Sequence, residues 1–252
     1  GDASHAYDSI RTPFWIDRME KSEVACTPEN GIGDPGVTRF RRHFLFLKPD
    51  VIVVYDELEA REPVAWTWLL HSHNRMAQAG ENAVAVSNGA AEGRMELFTS
   101  GELTLNLTDR FFSPAINWKK RTGPDGRVQE YVNHWHAEFT IAAKSRAQRF
   151  LAVFRITPEG RKPLTLKCGA KGRVTVGGWS VSAELDASKP ASLSVTDRRG
   201  NAVLYNTPAS ETAGSTVVRR RGEPARELVD VVPASVPVSY THLRAHETEL
   251  HL

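Results

Sequence analysis

The strongest constraint on this chain is the alternation that runs from Thr38 to Asn74. Phe40, Phe44 and Phe46 interleave with Arg41, His43 and Leu45, and a period of two gives a strand with two distinct faces. Lys48-Pro49-Asp50 follows as a turn, because proline fixes φ and aspartate can hydrogen-bond its own backbone. Val51 to Tyr55 is then a continuous apolar, largely β-branched run, the composition of a strand buried on both faces. After a break at Ala60 to Pro63 the alternation resumes. Trp66, Trp68 and Leu70 take one face, and Leu69, His71 and His73 the other. These three strands predict a meander in a core sheet.

The same period continues downstream. Ala83 to Val86 reads as a short strand between turns, and Arg94 to Thr99 with Glu102 to Leu107 as a hairpin around Ser100-Gly101. Gln129 to Ala143 is a second long strand. Tyr131, Asn133, Trp135, Ala137, Phe139 and Ile141 share one face, and His134, His136, Glu138 and Thr140 the other. Gln148 to Ile156 is its expected partner. Pro158 to Pro163 reads as a linker or a long turn. Short strands follow at Leu164–Lys167, Arg173–Val176, Trp179–Glu184, Leu193–Thr196 and Ala202–Asn206. No stretch before about residue 235 carries helical periodicity, and no fixed-period repeat is present. The expected fold is all-β: a large antiparallel β-sandwich with few or no helices. Residues 1–237 form one sandwich domain, with 158–163 the place for any internal boundary.

Composition narrows the function classes. With 252 residues, 40% hydrophobic and 25% charged, the chain can bury a full core. No apolar run approaches the ~20 residues that span a bilayer, so no membrane partner is expected. The formal charge of +2 is close to neutral, which leaves local clusters as the only electrostatic signal. These are Arg39 to Arg42, Lys119-Lys120-Arg121, Arg198-Arg199 and Arg219-Arg220-Arg221. They suit either an acidic polysaccharide or solvated strand edges that resist edge-to-edge pairing. They are dispersed and lack an interleaved aromatic platform, so no nucleic-acid partner is expected. Cys26 and Cys168 are the only cysteines; they permit one disulfide without arguing for it.

Two motifs fail on context. Gly31 to Gly36 matches G-x-G-x-x-G, but a dinucleotide site needs that motif after a strand and opening a helix. Here Pro35 interrupts it and a strand follows. His246-Glu247 with His251 evokes a metalloprotease, but the two histidines are five apart rather than four and leave the shared helix face. Val238 to Leu252 contains SYTHLRAHET, which resembles a translated sequencing-library adapter, so this tail is expected to be foreign to the rest.

The run RRHFLFLKPDVIVVYDELEA (Arg41 to Ala60), with Gly1 to Tyr7 before it and Trp68-Leu69-Leu70-His71-Ser72 after it, carries a family resemblance. It resembles the β-sandwich part of heparinase II/III-like polysaccharide lyases, over about Gly1 to Pro158, and implies a supersandwich-like fold. Such lyases cleave acidic, uronate-containing polysaccharides by β-elimination: a base takes the C5 proton while the carboxylate is neutralised, and the C4 oxygen leaves. In the family, a tyrosine and one histidine of that machinery lie in a helical toroid, and another histidine and the zinc ligands lie on early sandwich strands. By the order of motifs these precede Gly1, so no catalytic residue transfers to this sequence. The resemblance therefore implies a fragment that is inactive by itself, holds no cofactor, and belongs with an N-terminal toroid. Its partner would be an acidic polysaccharide, and its setting bacterial, periplasmic or secreted.

From the residues alone, two constellations could carry function. His71 and His73, and His134, His136 and Glu138, each lie on one face of a strand. If those strands are neighbours, four imidazoles and a carboxylate share a surface. Such a surface could bind substrate or transfer protons; we assign it no metal, although histidine and glutamate are suitable zinc ligands. The second is Trp118 with Lys119, Lys120 and Arg121, placed to stack on and pair with an acidic sugar. Trp66, Trp68 and Trp135 lie on apolar faces and are expected in the core. A non-catalytic carbohydrate-binding or structural sandwich module is the alternative reading.

Overall fold

The computed structural model describes residues 1–4, 13–21, 23–27, 36–109, 120–122, 124–130, 134–169, 172–210 and 212–229. In chain order these form helix α1 (Pro13–Lys21) and strands β1 (Val37–Leu47), β2 (Val51–Val64), β3 (Thr67–Ser72), β4 (Met76–Gly80), β5 (Ala83–Asn88) and β6 (Ala91–Phe98). Then come β7 (Leu103–Thr108), β8 (Lys120–Thr122), β9 (Val128–Glu130), β10 (Trp135–Ile141), β11 (Ser145–Pro158) and β12 (Leu166–Cys168). The last are β13 (Arg173–Val176), β14 (Trp179–Ala183), β15 (Leu193–Asp197), β16 (Ala202–Tyr205), β17 (Thr216–Arg219) and β18 (Arg226–Leu228). Pairing is antiparallel throughout. A six-stranded sheet has the order β1-β2-β11-β6-β5-β4, a three-stranded sheet β3-β10-β7, and a seven-stranded sheet runs β12 to β18 in sequence; β8 and β9 form a ribbon. The fold is all-β and sandwich-like.

The six-stranded sheet is the middle layer, and its two longest strands make it so. β2 and β11 pair along their length, with Val53 opposite Val153 and Tyr55 opposite Leu151. Alternate residues then point to opposite faces. Val51, Val53, Tyr55, Leu151 and Val153 join Val174, Val181, Leu193 and Val195 of the seven-stranded sheet in one core. Val54, Leu58, Phe150 and Ala152 join Trp66, Trp68, Ala137 and Phe139 in the other, under the three-stranded sheet. Each such buried aliphatic or aromatic side chain contributes about 1.5–3 kcal/mol. An exposed pair such as Arg39–Glu59, at 3.0 Å with both side chains about two-fifths exposed, contributes about 0–1 kcal/mol. Apolar burial therefore decides the layering.

Several expectations hold. The Val51 run is buried on both faces, Lys48-Pro49-Asp50 is a turn, and Trp66 and Trp68 are core residues while Trp135 packs against them. Others are corrected. The meander is broken, because β1 and β2 pair but β3 crosses to the three-stranded sheet. Gln148 to Ile156 is no partner of β10; it lies in β11, between β2 and β6. Likewise β6 and β7 are not a hairpin, since β7 pairs with β10. Residues 13–21 are helical where no helix was read. Cys26 and Cys168 are both free and exposed, so no disulfide joins them. The Gly31-x-Gly33 loop and the 238–252 tail lie outside the described residues.

One polar joint ties the middle layer to the three-stranded sheet. Asp56, 1% exposed, accepts from Arg42 Nε at 2.7 Å and Nη2 at 2.8 Å, and from the Trp68 indole at 2.9 Å. The Arg42 guanidinium also lies over the Trp68 ring, 5.8 Å from its centroid. Asp56→Ala leaves the indole N–H without its acceptor, and each unsatisfied buried donor costs about 1–3 kcal/mol. Urea denaturation is expected to show a loss of about 3 kcal/mol, and a smaller one for Asp56→Asn, which keeps an acceptor. An unchanged midpoint in Asp56→Ala contradicts this assignment.

Candidate functional site

The three-stranded sheet buries one face and presents the other. Ala137 and Phe139 of β10 are 0% exposed and Ile141 3%, so the intervening residues His136, Glu138 and Thr140 point outward. Trp68 of β3 is buried while Thr67, Leu69 and His71 are exposed. Because β3 and β10 are antiparallel neighbours, His136 sits opposite His71, and Glu138 opposite Leu69. The conditional expectation from the sequence is thus met. The His71 and His136 rings are 4.5 Å apart, edge to face, and the His73 and His134 rings 4.1 Å apart.

β7 extends the surface on the other side of β10. Thr108 lies beside His136, Asn106 beside Glu138 and Thr104 beside Thr140. Asn106 Nδ2 donates to Glu138 Oε2 at 2.8 Å, and the Thr67 and Thr140 hydroxyls are 3.0 Å apart. The outward face therefore offers four imidazoles, a carboxylate held by an amide, and a column of threonines. Imidazole both donates and accepts, and hydroxyls do the same. Such a lattice can hydrogen-bond a polyhydroxylated, carboxylated chain laid across it. Among the described residues, no group of three or more His, Cys, Asp or Glu is arranged to hold a metal ion.

The second expected cluster falls mostly outside the described residues. Trp118 and Lys119 lie outside the described residues, and only the backbone of Lys120 and Arg121, in β8, is described. The Arg39–Arg42 cluster is internally neutralised. Arg39 pairs with Glu59, Arg41 with Asp2 and Arg42 with Asp56. It serves the edge of the sheet, the ordinary reading of such a run.

The structure also reveals an acid–base network that sequence reasoning missed. Glu57, 2% exposed, receives His43 Nε2 at 2.9 Å and a hydrogen bond from Tyr205 of the seven-stranded sheet. Arg41 donates to the Tyr205 hydroxyl at 3.1 Å, and the His43 and Tyr205 rings are 4.1 Å apart. Nearby, Tyr55 donates to the Glu184 carbonyl at 2.7 Å, and Arg149 donates to the carbonyl of Lys189 at 2.8 Å. The available signal was Asp56-Glu57 inside a strand that otherwise reads as buried, since a buried charge requires a partner. Every group here engages a neighbour across the interface, so the network is a joint between layers.

Burial alone would raise the Glu57 carboxyl, but hydrogen bonds from His43 and Tyr205, with the charges of His43 and Arg41, hold it below the usual range. Burial, then the Glu57 charge, push the Tyr205 phenol up to about 12, and burial raises Tyr55 as well. For Glu57 the folded value is depressed. Its stabilisation is complete above the unfolded value of about 4.3 and is lost as pH falls through the lower folded value. For Tyr205 the unfolded phenol ionises near about 10 while the folded one keeps its proton to about 12. Stability therefore declines between those two values as pH rises. Thermal melts are expected to show both limbs, with the acid limb weakened in Glu57→Gln. In a spectrophotometric titration, two of the five tyrosines should ionise late; all five titrating together in the folded state contradicts the network.

Compared with known proteins, the chain matches no family model and no curated protein in sequence.

Proposed function

We propose that this chain is the β-sandwich part of a polysaccharide lyase acting on uronate-containing polymers, and that the outward face of β3, β10 and β7 is where it holds the polymer. The observation that carries this reading is the meeting of His71 with His136 and of His73 with His134 on one exposed surface, beside Glu138 and Asn106. β-Elimination needs the uronate carboxylate neutralised and the sugar ring fixed while a base removes the C5 proton. An extended row of donors and acceptors on a rigid sheet suits the fixing of the ring. The resemblance of the Arg41–Ala60 run to heparinase II/III-like lyases supplies the reaction class. It assigns the proton-transferring groups to parts of such a protein outside this sequence, so the chain alone binds and does not cut. Within that reading the setting is periplasmic or secreted.

A second reading is favoured by a different observation. Glu57, Tyr205, Arg41 and His43 are all committed to one another between layers, which suits a module whose task is to stay rigid beside a catalytic domain. Both readings share the binding face and differ in what the neighbouring domain does.

Titration with a uronate tetrasaccharide, followed by tryptophan fluorescence, is expected to show saturable binding. The double variant His71→Ala/His136→Ala is expected to bind at least about tenfold more weakly, a difference of about 1.4 kcal/mol. These side chains lie on the exposed or half-exposed face, so the fold should be retained. Absence of saturable binding, or an unchanged affinity in the double variant, overturns the assignment. Release of unsaturated uronate products by the chain alone would overturn the claim that it only binds.

A further inference from the structure

The six-stranded sheet ends on β1, and that edge is only partly covered. Gly1 and Arg42 exchange hydrogen bonds, Gly1 N donating to Arg42 O at 2.8 Å and Arg42 N to Gly1 O at 2.9 Å. Ala3 N donates to Phe40 O at 2.8 Å. Gly1 to Ala3 thus runs antiparallel to β1, with Asp2 opposite Arg41. Backbone groups alternate sides along a strand, so Phe44 and Phe46 turn their N–H and C=O to the same edge as Phe40 and Arg42. From Arg39 to Leu47 the pairing of β1 with β2 has no register shift, so the alternation is unbroken. Among the described residues, nothing pairs with the Phe44–Phe46 stretch of this edge.

The side chains there are apolar and uncovered. Phe44 is 64% exposed and Phe46 51%. They lie opposite Val54 and Ile52 of β2, on the face where Phe40, Ile52 and Phe154 pack at the margin of the core. Unpaired backbone groups beside exposed apolar side chains form a template for another strand, and such edges are ordinarily blunted by charge, proline or cover. Gly1 to Ala3 supplies cover only as far as Arg42.

The neighbouring layer leaves room for a further strand. Tyr205 of β16 lies against β1, its ring 4.1 Å from that of His43 and its hydroxyl 3.1 Å from Arg41 Nη1. Register lines up Leu193, Tyr205, Thr216 and Leu228 across β15, β16, β17 and β18, so all four side chains share the face turned to the middle sheet. Leu193 and Tyr205 belong to the core shared with β2 and β11, whereas no described residue of β17 or β18 does. Leu228 is 50% exposed. The seven-stranded sheet therefore extends past β1, and a strand added to β1 at the usual spacing of about 4.8 Å lies over that overhang.

We propose that the Phe44–Phe46 edge of β1 is a docking site for an extended polypeptide strand of a partner domain, added antiparallel to β1 in line with Gly1 to Ala3. Main-chain hydrogen bonds to Phe44 and Phe46 supply affinity, and apolar side chains at the two positions opposite them supply selectivity. A second copy of this chain fits the edge poorly. Pairing β1 with itself so that Phe44 bonds Phe46 puts the twofold axis at Leu45. The copy's Lys48 then falls beside Arg42, in the place that Gly1 already fills. The proposal stands on this edge and does not rest on the reading of the imidazole face.

The test is an ¹⁵N NMR titration of the whole chain with a capped peptide of alternating valine and threonine. The Phe44 and Phe46 amides are expected to shift along one saturating curve and to become protected from hydrogen exchange. Phe44→Lys/Phe46→Lys is expected to weaken the response at least about tenfold, while His71→Ala/His136→Ala leaves it unchanged. Because Phe44 and Phe46 are exposed, an unaltered amide spectrum elsewhere shows the lysine variant to be folded. The proposal is overturned if the two amides do not move, or if a peptide N-methylated on the residues facing β1 binds as well. It is also overturned if sedimentation shows the chain alone to dimerise with those amides already protected.

Discussion

The arrangement of the molecule depends on the burial of β2 and β11 on both faces. Two paired strands with apolar residues on both faces of their central stretches cannot lie at a surface, so a layer must cover each side. Consecutive residues then serve opposite interfaces. Asp56 points to one side and receives the indole of Trp68 from the three-stranded sheet. Glu57 points to the other and is hydrogen-bonded by Tyr205 of the seven-stranded sheet. Apolar area supplies most of the stabilisation, and the two carboxylates fix how each outer layer sits on the middle one.

This constraint also explains what the sequence could and could not reveal. Period-two alternation reports which side of a strand is buried, and for β3 and β10 it placed Trp68, Phe139 and the histidines on their proper faces. A continuous apolar run reports burial on both faces, as at Val51–Tyr55. Neither pattern names the neighbouring strand. Chain proximity suggested that Gln148–Ile156 would pair with the strand before it, and that Arg94–Thr99 would fold back on Glu102–Leu107. In both places the chain instead changes sheet, because β11 has two apolar faces to cover and β10 only one. The meeting of His71 with His136 was legible only as a condition. The Glu57–Tyr205 joint spans 148 positions of sequence and left one local trace, a charged pair within a buried strand.

β2 and β11 of the middle sheet are occupied with packing on both sides, and the imidazole surface belongs to an outer layer. One outer face gathers imidazoles, threonines and an amide-held carboxylate. That face suits a ligand that is polyhydroxylated and acidic. The reading as a lyase's sandwich part joins the resemblance of the Arg41–Ala60 run to the chemistry of the imidazole face. The face would act by positioning, and the proton transfer would fall to groups elsewhere in such a protein.

The central claim is that the imidazoles of β3 and β10 act as one surface for an acidic polymer. It is tested most directly by following the ring carbon-bound protons of His71, His73, His134 and His136 during addition of a uronate oligosaccharide. The account requires the four ring signals to shift along one binding curve, with nuclear Overhauser contacts between His71 and His136 before ligand is added. Saturation of binding with those rings unmoved, or absence of the His71–His136 contact, would contradict it.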